Sequence, residues 1–230
     1  MAEKTLVFLK DIHKTYNKVN WVLQGVDLRL NKGDIIKIIG EEGSGKTTLL
    51  KIILCAVFPD RGRVNIMDID TSDLKKYEHI LLLRQYMAVF FENFRLFEYM
   101  TVLDNLLFIN KMKGRKKRIF MPLVERFLSQ LDLGDIFRKE VVFLSPGEKA
   151  RLALAMIFSL DTPIILMDEP FRYLSPSSIG KAIDILKSDF CEDKGIILFS
   201  GKEISLPRGK SFILNSGKLY GIHNQDTGQK

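Results

Sequence analysis

The alternation of hydrophobic and polar residues predicts strands in the N-terminal part of the chain. Thr5–Leu9 and Val22–Leu30 alternate with a period of two, which is typical of strands with one buried face. Residues 31–34, Asn-Lys-Gly-Asp, predict a turn, and the apolar run Ile35–Ile39 predicts a buried strand. A Gly-rich loop follows, and the pattern at Thr47–Val57 predicts a helix. Two further strands are predicted at 63–67 and 87–91.

The second half of the chain has mainly helical patterns. Leu, Phe and Ile recur every three or four residues from about Met100 to Val142, and Ser145 is placed to cap a helix that ends near Ser159. We expect another helix at 177–190, buried strands at 164–167 and 196–199, and a hairpin formed by 212–214 and 218–220. Strands that alternate with helices indicate an α/β fold with a mostly parallel sheet, into which the helical block is inserted.

Composition narrows the class of protein but does not select a partner. The chain has 230 residues, of which 46% are hydrophobic, enough for one domain with a packed core. The net charge of +7 favours anionic partners such as nucleotides, nucleic acids or acidic lipids. Cys55 and Cys191 lie far apart and predict two reduced thiols in a cytosolic protein.

The apolar runs are too short to cross a membrane. Ile52–Phe58 and Leu152–Phe158 fall well below the ~20 residues that a spanning helix needs. Met1–Lys10 also lacks the pattern of a secretory signal. We therefore expect another chain to hold this protein at a membrane, if it works at one.

The loop after the predicted strand Ile35–Ile39 has the spacing of a phosphate-binding loop. The pattern is glycine, four residues, then Gly-Lys-Thr, with a strand before it and a helix after it. Glycines let backbone N–H groups turn towards phosphate oxygens, and the helix N-terminus favours negative charge. Lys46 is expected to neutralise the β- and γ-phosphates, and the Thr47 hydroxyl to bind Mg²⁺. The predicted nucleotide-binding residues here are Gly40, Glu41, Glu42, Gly43, Ser44, Gly45, Lys46, Thr47 and Thr48.

Two acidic residues follow the buried strand Ile164–Met167. They are Asp168 and Glu169, at the end of the strand where α/β sheets bind ligands. We expect Asp168 to hold Mg²⁺ and Glu169 to polarise the attacking water. This pattern is weak alone, but together with the phosphate-binding loop it predicts a nucleoside triphosphatase.

These elements resemble those of the ABC ATPase family, and the likeness covers nearly the whole chain. Gly40–Thr48 resembles the Walker A loop, and Ile164–Pro170 resembles the Walker B segment. Leu144–Glu148, Leu-Ser-Pro-Gly-Glu, lies where the family has its signature LSGGQ, and Arg151 matches the arginine that follows it. The segment 96–105 is similar to the one that follows the family's Q-loop.

The resemblance implies a RecA-like P-loop NTPase core within one domain, 1–230, and a helical subdomain at about 93–155. Two ATP-binding subunits would sandwich ATP, so that each Walker A faces the partner's signature residues, here Ser145, Pro146, Gly147 and Glu148. It further implies that Tyr16 stacks on adenine, that Glu169 is catalytic, and that ATP and Mg²⁺ are bound. The partners implied are a transmembrane subunit and a second ATP-binding subunit, either another copy or a different chain, on the cytoplasmic side of the cell membrane.

Several positions depart from the family's pattern. Glu92 occupies the glutamine position of the Q-loop and is a candidate Mg²⁺ ligand, and Gly201 occupies the histidine position of the H-loop. Pro146 and Glu148 replace a glycine and a glutamine of the signature, and the D-loop reads Arg-Tyr-Leu-Ser at 172–175. These changes affect the residues expected to act in hydrolysis and dimer contacts, while the phosphate-binding residues are intact.

Three functions remain open. The chain is an ATPase that drives a transmembrane partner, an ATP-binding regulatory subunit with little hydrolysis, or a soluble ABC protein of ribosomes or DNA repair. Intact Lys46, Asp168 and Glu169 favour the first, and Gly201 and Glu92 favour the second. Within the family the chain resembles the cell-division, lipoprotein-releasing and phospholipid-trafficking branches.

The remaining polar features carry weaker predictions. The basic residues between 111 and 118 are interpreted as a solvated loop, with anionic lipid headgroups as the alternative. His13, His79 and His223 are scattered and predict no metal site. No nucleic-acid-binding motif is present, so no nucleic-acid partner is expected.

Overall fold

The computed structural model describes residues 4–74, 77–204, 206 and 209–222. Ten strands in this part of the chain form two sheets. The first sheet has the order β2-β1-β4-β5 and is antiparallel throughout. Its strands are β1 (Thr5–Thr15), β2 (Trp21–Asn31), β4 (Arg61–Ile66) and the two-residue β5 (Ile69–Asp70).

The second sheet is mostly parallel and has the order β10-β9-β3-β8-β7-β6. All neighbouring strands are parallel except β10, which forms an antiparallel hairpin with β9. The carboxyl ends of β3, β8, β7 and β6 therefore meet at one edge of the sheet. The strands are β3 (Ile35–Ile39), β6 (Met87–Phe90), β7 (Ile164–Asp168), β8 (Gly195–Ser200), β9 (Lys210–Asn215) and β10 (Lys218–Ile222).

Side chains of the parallel sheet enter two hydrophobic clusters, one on each face. In β7, Ile165 and Met167 pack into one cluster, while Ile164 and Leu166 pack into the other. Burial on both faces explains why these strands are apolar runs without polar alternation. The helices are α1 (Lys46–Ile53), α2 (Tyr77–Arg84), α3 (Val102–Met112), α4 (Lys117–Gln130), α5 (Pro146–Ser159) and α6 (Pro176–Lys187).

The two clusters define three layers. The antiparallel sheet packs with α1 and α2 on one face of the parallel sheet, and α3 to α6 pack on the other. Helices α3, α4 and α5 lie in the chain between the neighbouring strands β6 and β7. The predicted α/β fold, with N-terminal antiparallel strands and inserted helices, is confirmed.

The helices differ from the predicted ones in three ways. Helix α1 ends at Ile53 rather than near Val57, because Cys55 adopts a left-handed conformation with φ of 51°. The helical pattern at 100–142 forms two helices separated near Gly114, whose φ is 68°, and its last part includes a short 3-10 helix at Val141–Phe143. Helix α2 was not predicted from the sequence.

The basic run at 111–118 divides into internal and exposed side chains. The Lys113 ammonium donates hydrogen bonds to the carbonyl oxygens of Arg84, Gln85 and Met87, at 3.0, 3.3 and 3.0 Å. The Arg115 guanidinium donates to the carbonyl of Ser159 and lies 3.6 Å from the Asp161 carboxylate. The solvated-loop prediction is wrong for these two residues, while Lys111, Lys116, Lys117 and Arg118 are exposed.

Candidate functional site

A cavity of about 980 Å³ opens at the carboxyl edge of the parallel sheet. It is lined by the segments that follow β3, β6, β7 and β8, which the parallel arrangement brings to the same edge. Lys46, Glu92, Asp168, Glu169 and Gly201 all line it, although they are far apart in the sequence. Each of these was a candidate site residue from the sequence alone, and the fold brings them into one place.

Close packing fixes the conformation of the loop between β3 and α1. A Cβ atom on Gly40 would lie 2.5 Å from the carbonyl oxygen of Leu214, and Gly45 has a φ of 109° that other residues rarely adopt. Lys46 begins α1, and its ammonium donates hydrogen bonds to the carbonyl oxygens of Gly40 and, at 2.9 Å, of Glu41. The side chain of Lys46 therefore folds back over its own loop, next to the N-terminus of α1.

The acidic pair sits where β7 ends. Asp168 is the last residue of the strand, and Glu169 adopts a left-handed conformation with φ of 48°. The backbone N–H of Gly201 donates to Glu169 Oε1 at 2.5 Å, and the Ser200 hydroxyl donates to Oε2 at 3.4 Å. Glu169 is therefore oriented by the segment that follows β8, and Gly201 acts there through its backbone.

The Asp168 carboxyl lies in an environment that disfavours its charge. Burial raises its pKa, and the neighbouring Glu169 and Glu92 carboxylates raise it further, while Lys46 acts in the opposite direction. A cation placed between these groups would relieve the repulsion. The charges of these carboxylates therefore favour a bound cation.

Glu92 has a basic neighbour that was not predicted from the sequence. Its carboxylate forms an ion pair with the Arg172 guanidinium, which follows the acidic pair in the chain and also lines the cavity. For Glu92 to bind Mg²⁺, as the sequence suggested, this ion pair would have to open. The pair links the segment after β6 to the segment after β7 at the cavity mouth.

The residues present fit a Mg-nucleotide. The Ser44 hydroxyl in the phosphate-binding loop is buried and has no hydrogen-bond partner within the described part of the chain, so it is available to a phosphate oxygen. Thr47 and Asp168 supply hard oxygen ligands of the kind Mg²⁺ prefers. Among the described residues no group of three or more His, Cys, Asp or Glu side chains forms a metal cage. Mg²⁺ commonly binds instead through one or two carboxylates together with substrate phosphates.

Tyr16 lies beside the phosphate-binding loop, outside the cavity lining. Its ring is 60% exposed, and its hydroxyl is 3.5 Å from that of Thr48 in α1. The open ring is available for stacking on a base, so the predicted adenine contact is compatible with its position. Val22 from β2 adds an apolar side chain to the nearby cavity wall.

The predicted signature residues lie at the start of α5, away from the cavity lining. Ser145 caps the helix by accepting the N–H of Glu148 at 3.3 Å, and the Glu148 carboxylate accepts the N–H of Ser145 at 2.7 Å. Pro146 occupies the first helical turn, where its missing N–H costs nothing. Gly147 lies against the carbonyl of Tyr173. The Glu148 side chain therefore caps the N-terminus of its own helix.

Sequence reasoning missed three charged residues of the cavity. Arg172 was noted only as a departure in the D-loop, and Lys202 and Glu203 were not singled out, yet all three line the cavity. The available signal was their position, since each comes within four residues of a strand end at the same sheet edge. Position alone does not show that a side chain turns inward.

No helix in the described ranges is long and apolar enough to cross a membrane.

Relatives with known roles are ATP-binding subunits of transport systems. The chain is 30% identical over 209 residues to the L-cystine transport system ATP-binding protein TcyN of Escherichia coli, covering 86% of this chain and 82% of that protein. It is 29% identical over 239 residues to the histidine/lysine/arginine/ornithine transport ATP-binding protein HisP of the same organism, covering 95% and 90%.

Solved structures show the same architecture. A dimeric bacterial ABC transporter cassette is 27% identical, has a TM-score of 0.82, and is matched over 93% of this chain and 96% of that one. A dimeric ATP-binding cassette in a post-hydrolysis state with ADP and phosphate is 28% identical, has a TM-score of 0.81 and is matched over the same shares.

The family model for ABC transporters matches residues 23–172, a range that begins in β2 and ends just after the acidic pair. It includes the phosphate-binding loop, the helical insertion and Glu169. The chain therefore belongs to the ABC transporter family, as an ATP-binding subunit with the ABC ATPase fold.

Proposed function

We propose that this chain is a slow ATPase that couples ATP-driven closure of a subunit dimer to a transmembrane partner. One observation carries the proposal. The phosphate-binding lysine and the acidic pair share one cavity, while position 201 offers only a backbone N–H to Glu169. Binding groups are complete, and one side chain expected to contact the terminal phosphate is absent.

The cavity residues have distinct roles in this reaction. Lys46 and the loop N–H groups bind the β- and γ-phosphates, and Thr47 and Asp168 would hold Mg²⁺. When bound, Mg²⁺ would neutralise part of the phosphate charge. Glu169 orients water and draws its proton as the water oxygen bonds to the terminal phosphorus and the bond from that phosphorus to ADP breaks.

Slow turnover follows from the missing side chain. Loss of one preorganised donor typically lowers turnover by ~10²–10³-fold. Glu169 remains, so the site keeps a water-orienting group and is not inactive. The second candidate, a regulatory subunit that binds ATP with almost no hydrolysis, is favoured by the same absence at Gly201.

The test is nucleotide binding and steady-state phosphate release by three proteins. The wild-type chain should bind Mg-ATP and turn over below about 1 s⁻¹, under the ~10 s⁻¹ median of enzymes. Glu169→Gln should bind ATP without turnover, and Lys46→Ala should lose ATP binding while its circular dichroism spectrum is unchanged. Wild-type turnover of tens per second would contradict slow hydrolysis, and unchanged ATP affinity in Lys46→Ala would contradict the site.

We also propose the assembly in which the chain works. Residues 93–155 would act as the helical subdomain, and the signature residues at the start of α5 would complete the ATP site of a second ATP-binding subunit. The complex would sit at the cytoplasmic face of the cell membrane, held by a transmembrane subunit. The names of the relatives support such an assembly, since both relatives are ATP-binding proteins of transport systems.

Co-expression tests the location. The chain should sediment with membranes only when its transmembrane partner is present, and purification of that complex would identify the partner. The sequence resemblance supports the proposal that this complex acts in cell division or in lipoprotein or phospholipid trafficking. A chain that stays in the supernatant with every candidate partner would argue against the assembly.

A further inference from the structure

The segment that follows β8 forms one wall of the cavity and is held at several points. Ser200–Ile204 all line the cavity. The Gly201 N–H donates to Glu169, the Lys202 N–H donates to the Ser200 hydroxyl at 3.1 Å, and the buried Lys37 ammonium donates to the carbonyl of Ile204 at 3.0 Å. Contacts on both sides of Lys202 therefore fix where its side chain begins.

The cavity carries more negative than positive side chains. Its described lining includes six carboxylates, from Glu41, Glu42, Glu92, Asp168, Glu169 and Glu203, but three cations, from Lys46, Arg172 and Lys202. A nucleoside triphosphate adds further negative charge. Each cation that lines the cavity therefore affects whether the terminal phosphate can be accommodated.

The three cations differ in what already binds them. Lys46 contacts the carbonyls of its own loop, as expected of the phosphate-binding lysine. Arg172 is paired with Glu92, which offsets its charge. Lys202 is exposed and forms no ion pair within the described ranges. Its charge is thus available to a ligand.

The terminal phosphate has a limited range of positions. It must lie within reach of Lys46, which binds the β- and γ-phosphates, and next to the water held by Glu169. The Gly201 N–H is 2.5 Å from the Glu169 carboxylate, so the next residue starts beside that water. A lysine side chain extends about 6 Å on its four-carbon stem, which is enough to reach a phosphate oxygen there.

We propose that Lys202 binds the terminal phosphate of ATP and strengthens ATP binding, while the rate-enhancing donor that Gly201 lacks a side chain to provide stays absent. This inference rests on the proposed ATPase function and names a further residue of that site. Because ADP has no terminal phosphate, the contact should distinguish ATP from ADP. General attraction of a lysine to nucleotides would strengthen binding of both.

The test compares nucleotide affinities of the full chain with Mg²⁺ present. Dissociation constants for the β,γ-imido analogue of ATP and for ADP are measured for wild type, Lys202→Met and Lys202→Arg. Lys51→Met is the matched control, because Lys51 is an exposed lysine of α1 outside the cavity lining. It removes the same charge from the protein.

We expect Lys202→Met to weaken binding of the ATP analogue by about 10- to 100-fold, the range for a hydrogen bond between charged groups, and to change ADP binding less than about twofold. Lys202→Arg should recover part of the loss. Lys51→Met should change neither affinity by more than about twofold.

Three outcomes would overturn the inference. They are equal weakening of both nucleotides by Lys202→Met, no weakening of either, and the same selective loss in Lys51→Met. Failure of the proposed function looks different, because the wild-type chain would then bind neither nucleotide, or Lys46→Ala would bind as wild type does.

Discussion

Gly201 donates its backbone N–H to Glu169 and has no side chain of its own to offer the cavity. A Cβ atom there would lie 3.3 Å from Glu169 Oε1 and 3.9 Å from the Gly40 carbonyl oxygen. Its φ lies outside the left-handed region, so a larger residue meets no backbone strain. A side chain at this position is therefore tolerated if the Glu169 carboxylate moves by a few tenths of an ångström.

Gly201→His should raise steady-state turnover by about 10-fold or more, since the imidazole restores one donor of the kind worth ~10²–10³-fold. Phosphate release by the purified chain measures this. Gly201→Ala is the control, because it adds the Cβ without the donor and should not exceed wild type. Equal rates for the alanine and histidine variants would contradict the role assigned to the missing side chain.

The charge of the Asp168 carboxylate lowers the stability of the nucleotide-free chain, although the same charge would favour the proposed metal binding. Its pKa is raised in the folded chain, so ionisation of the carboxyl weakens the folded state as the pH rises through that pKa. Asp168→Asn should therefore raise the melting temperature of the nucleotide-free chain at pH 7 by a few degrees. The advantage should shrink as the pH falls through the raised pKa and disappear below 3.8, the ordinary pKa of the group, where the carboxyl is protonated in both the folded and the unfolded chain.

Melting curves with Mg-ATP provide the contrast for this prediction. Wild type should gain stability from the ligand, because ligands that bind the folded state raise it by mass action. Asp168→Asn should gain much less, since it lacks the metal-binding oxygen. A variant that is less stable than wild type without nucleotide would show that Asp168 makes a favourable contact in the folded chain.

At the scale of elements, α5 depends on the capping box formed by Ser145 and Glu148. The N–H of Ser145 holds the pKa of the Glu148 carboxyl below its ordinary value of 4.5, with further hydrogen bonding from the Ser145 side chain. The carboxylate form is thus favoured by folding. Its contribution is present above pH 4.5 and is lost as the pH falls through the lowered pKa.

Glu148→Ala should lower the unfolding free energy by about 1 kcal/mol at pH 7, which is about 2–4 °C in melting temperature for a chain of this size. Glu148→Gln keeps an acceptor for the Ser145 N–H and should cost much less. Denaturant titrations from pH 8 downwards check both. The difference between wild type and Glu148→Ala should be constant to about pH 6 and narrow below 4.5, and a constant difference at every pH would contradict the assignment.

For the whole molecule, net charge bears on how two copies associate. Each chain carries +7, so two copies repel one another at low ionic strength. With Mg-ATP, Glu169→Gln should form a dimer that is favoured by raising salt, since the screening length falls to about 10 Å at 0.1 M. Light scattering after size exclusion measures the mass.

Lys46→Ala is the control for dimer formation, and it should remain a monomer at every salt concentration because it binds no nucleotide. A monomer of Glu169→Gln under all conditions would show that the second ATP-binding subunit is a different chain. A dimer that forms without nucleotide would contradict ATP-driven closure.

Local patterns predicted every described strand except the two-residue β5, as well as the phosphate-binding loop and the acidic pair, because each depends on residues adjacent in sequence. The inserted helices were also predicted as a block, although their ends were not. Pairing of Glu92 with Arg172, the internal bonds of Lys113 and the position of Lys202 on the cavity wall could not be predicted. These contacts join residues that are far apart in the sequence and depend on which strand ends meet in the fold. The periodicity of a single segment carries no information about such pairings.

The bonds of Lys113 and Arg115 join the inserted helices to the starts of β6 and β7, at the sheet edge away from the nucleotide cavity. If α5 tilted about this joint as a fulcrum, its 14 residues would form a rigid arm about 21 Å long. A tilt of about 10° would then move the far end, at Ser145, by roughly 4 Å on a rigid rod of that length. Small rearrangements near the fulcrum would thus cause larger displacements of the signature residues, which a second subunit would contact.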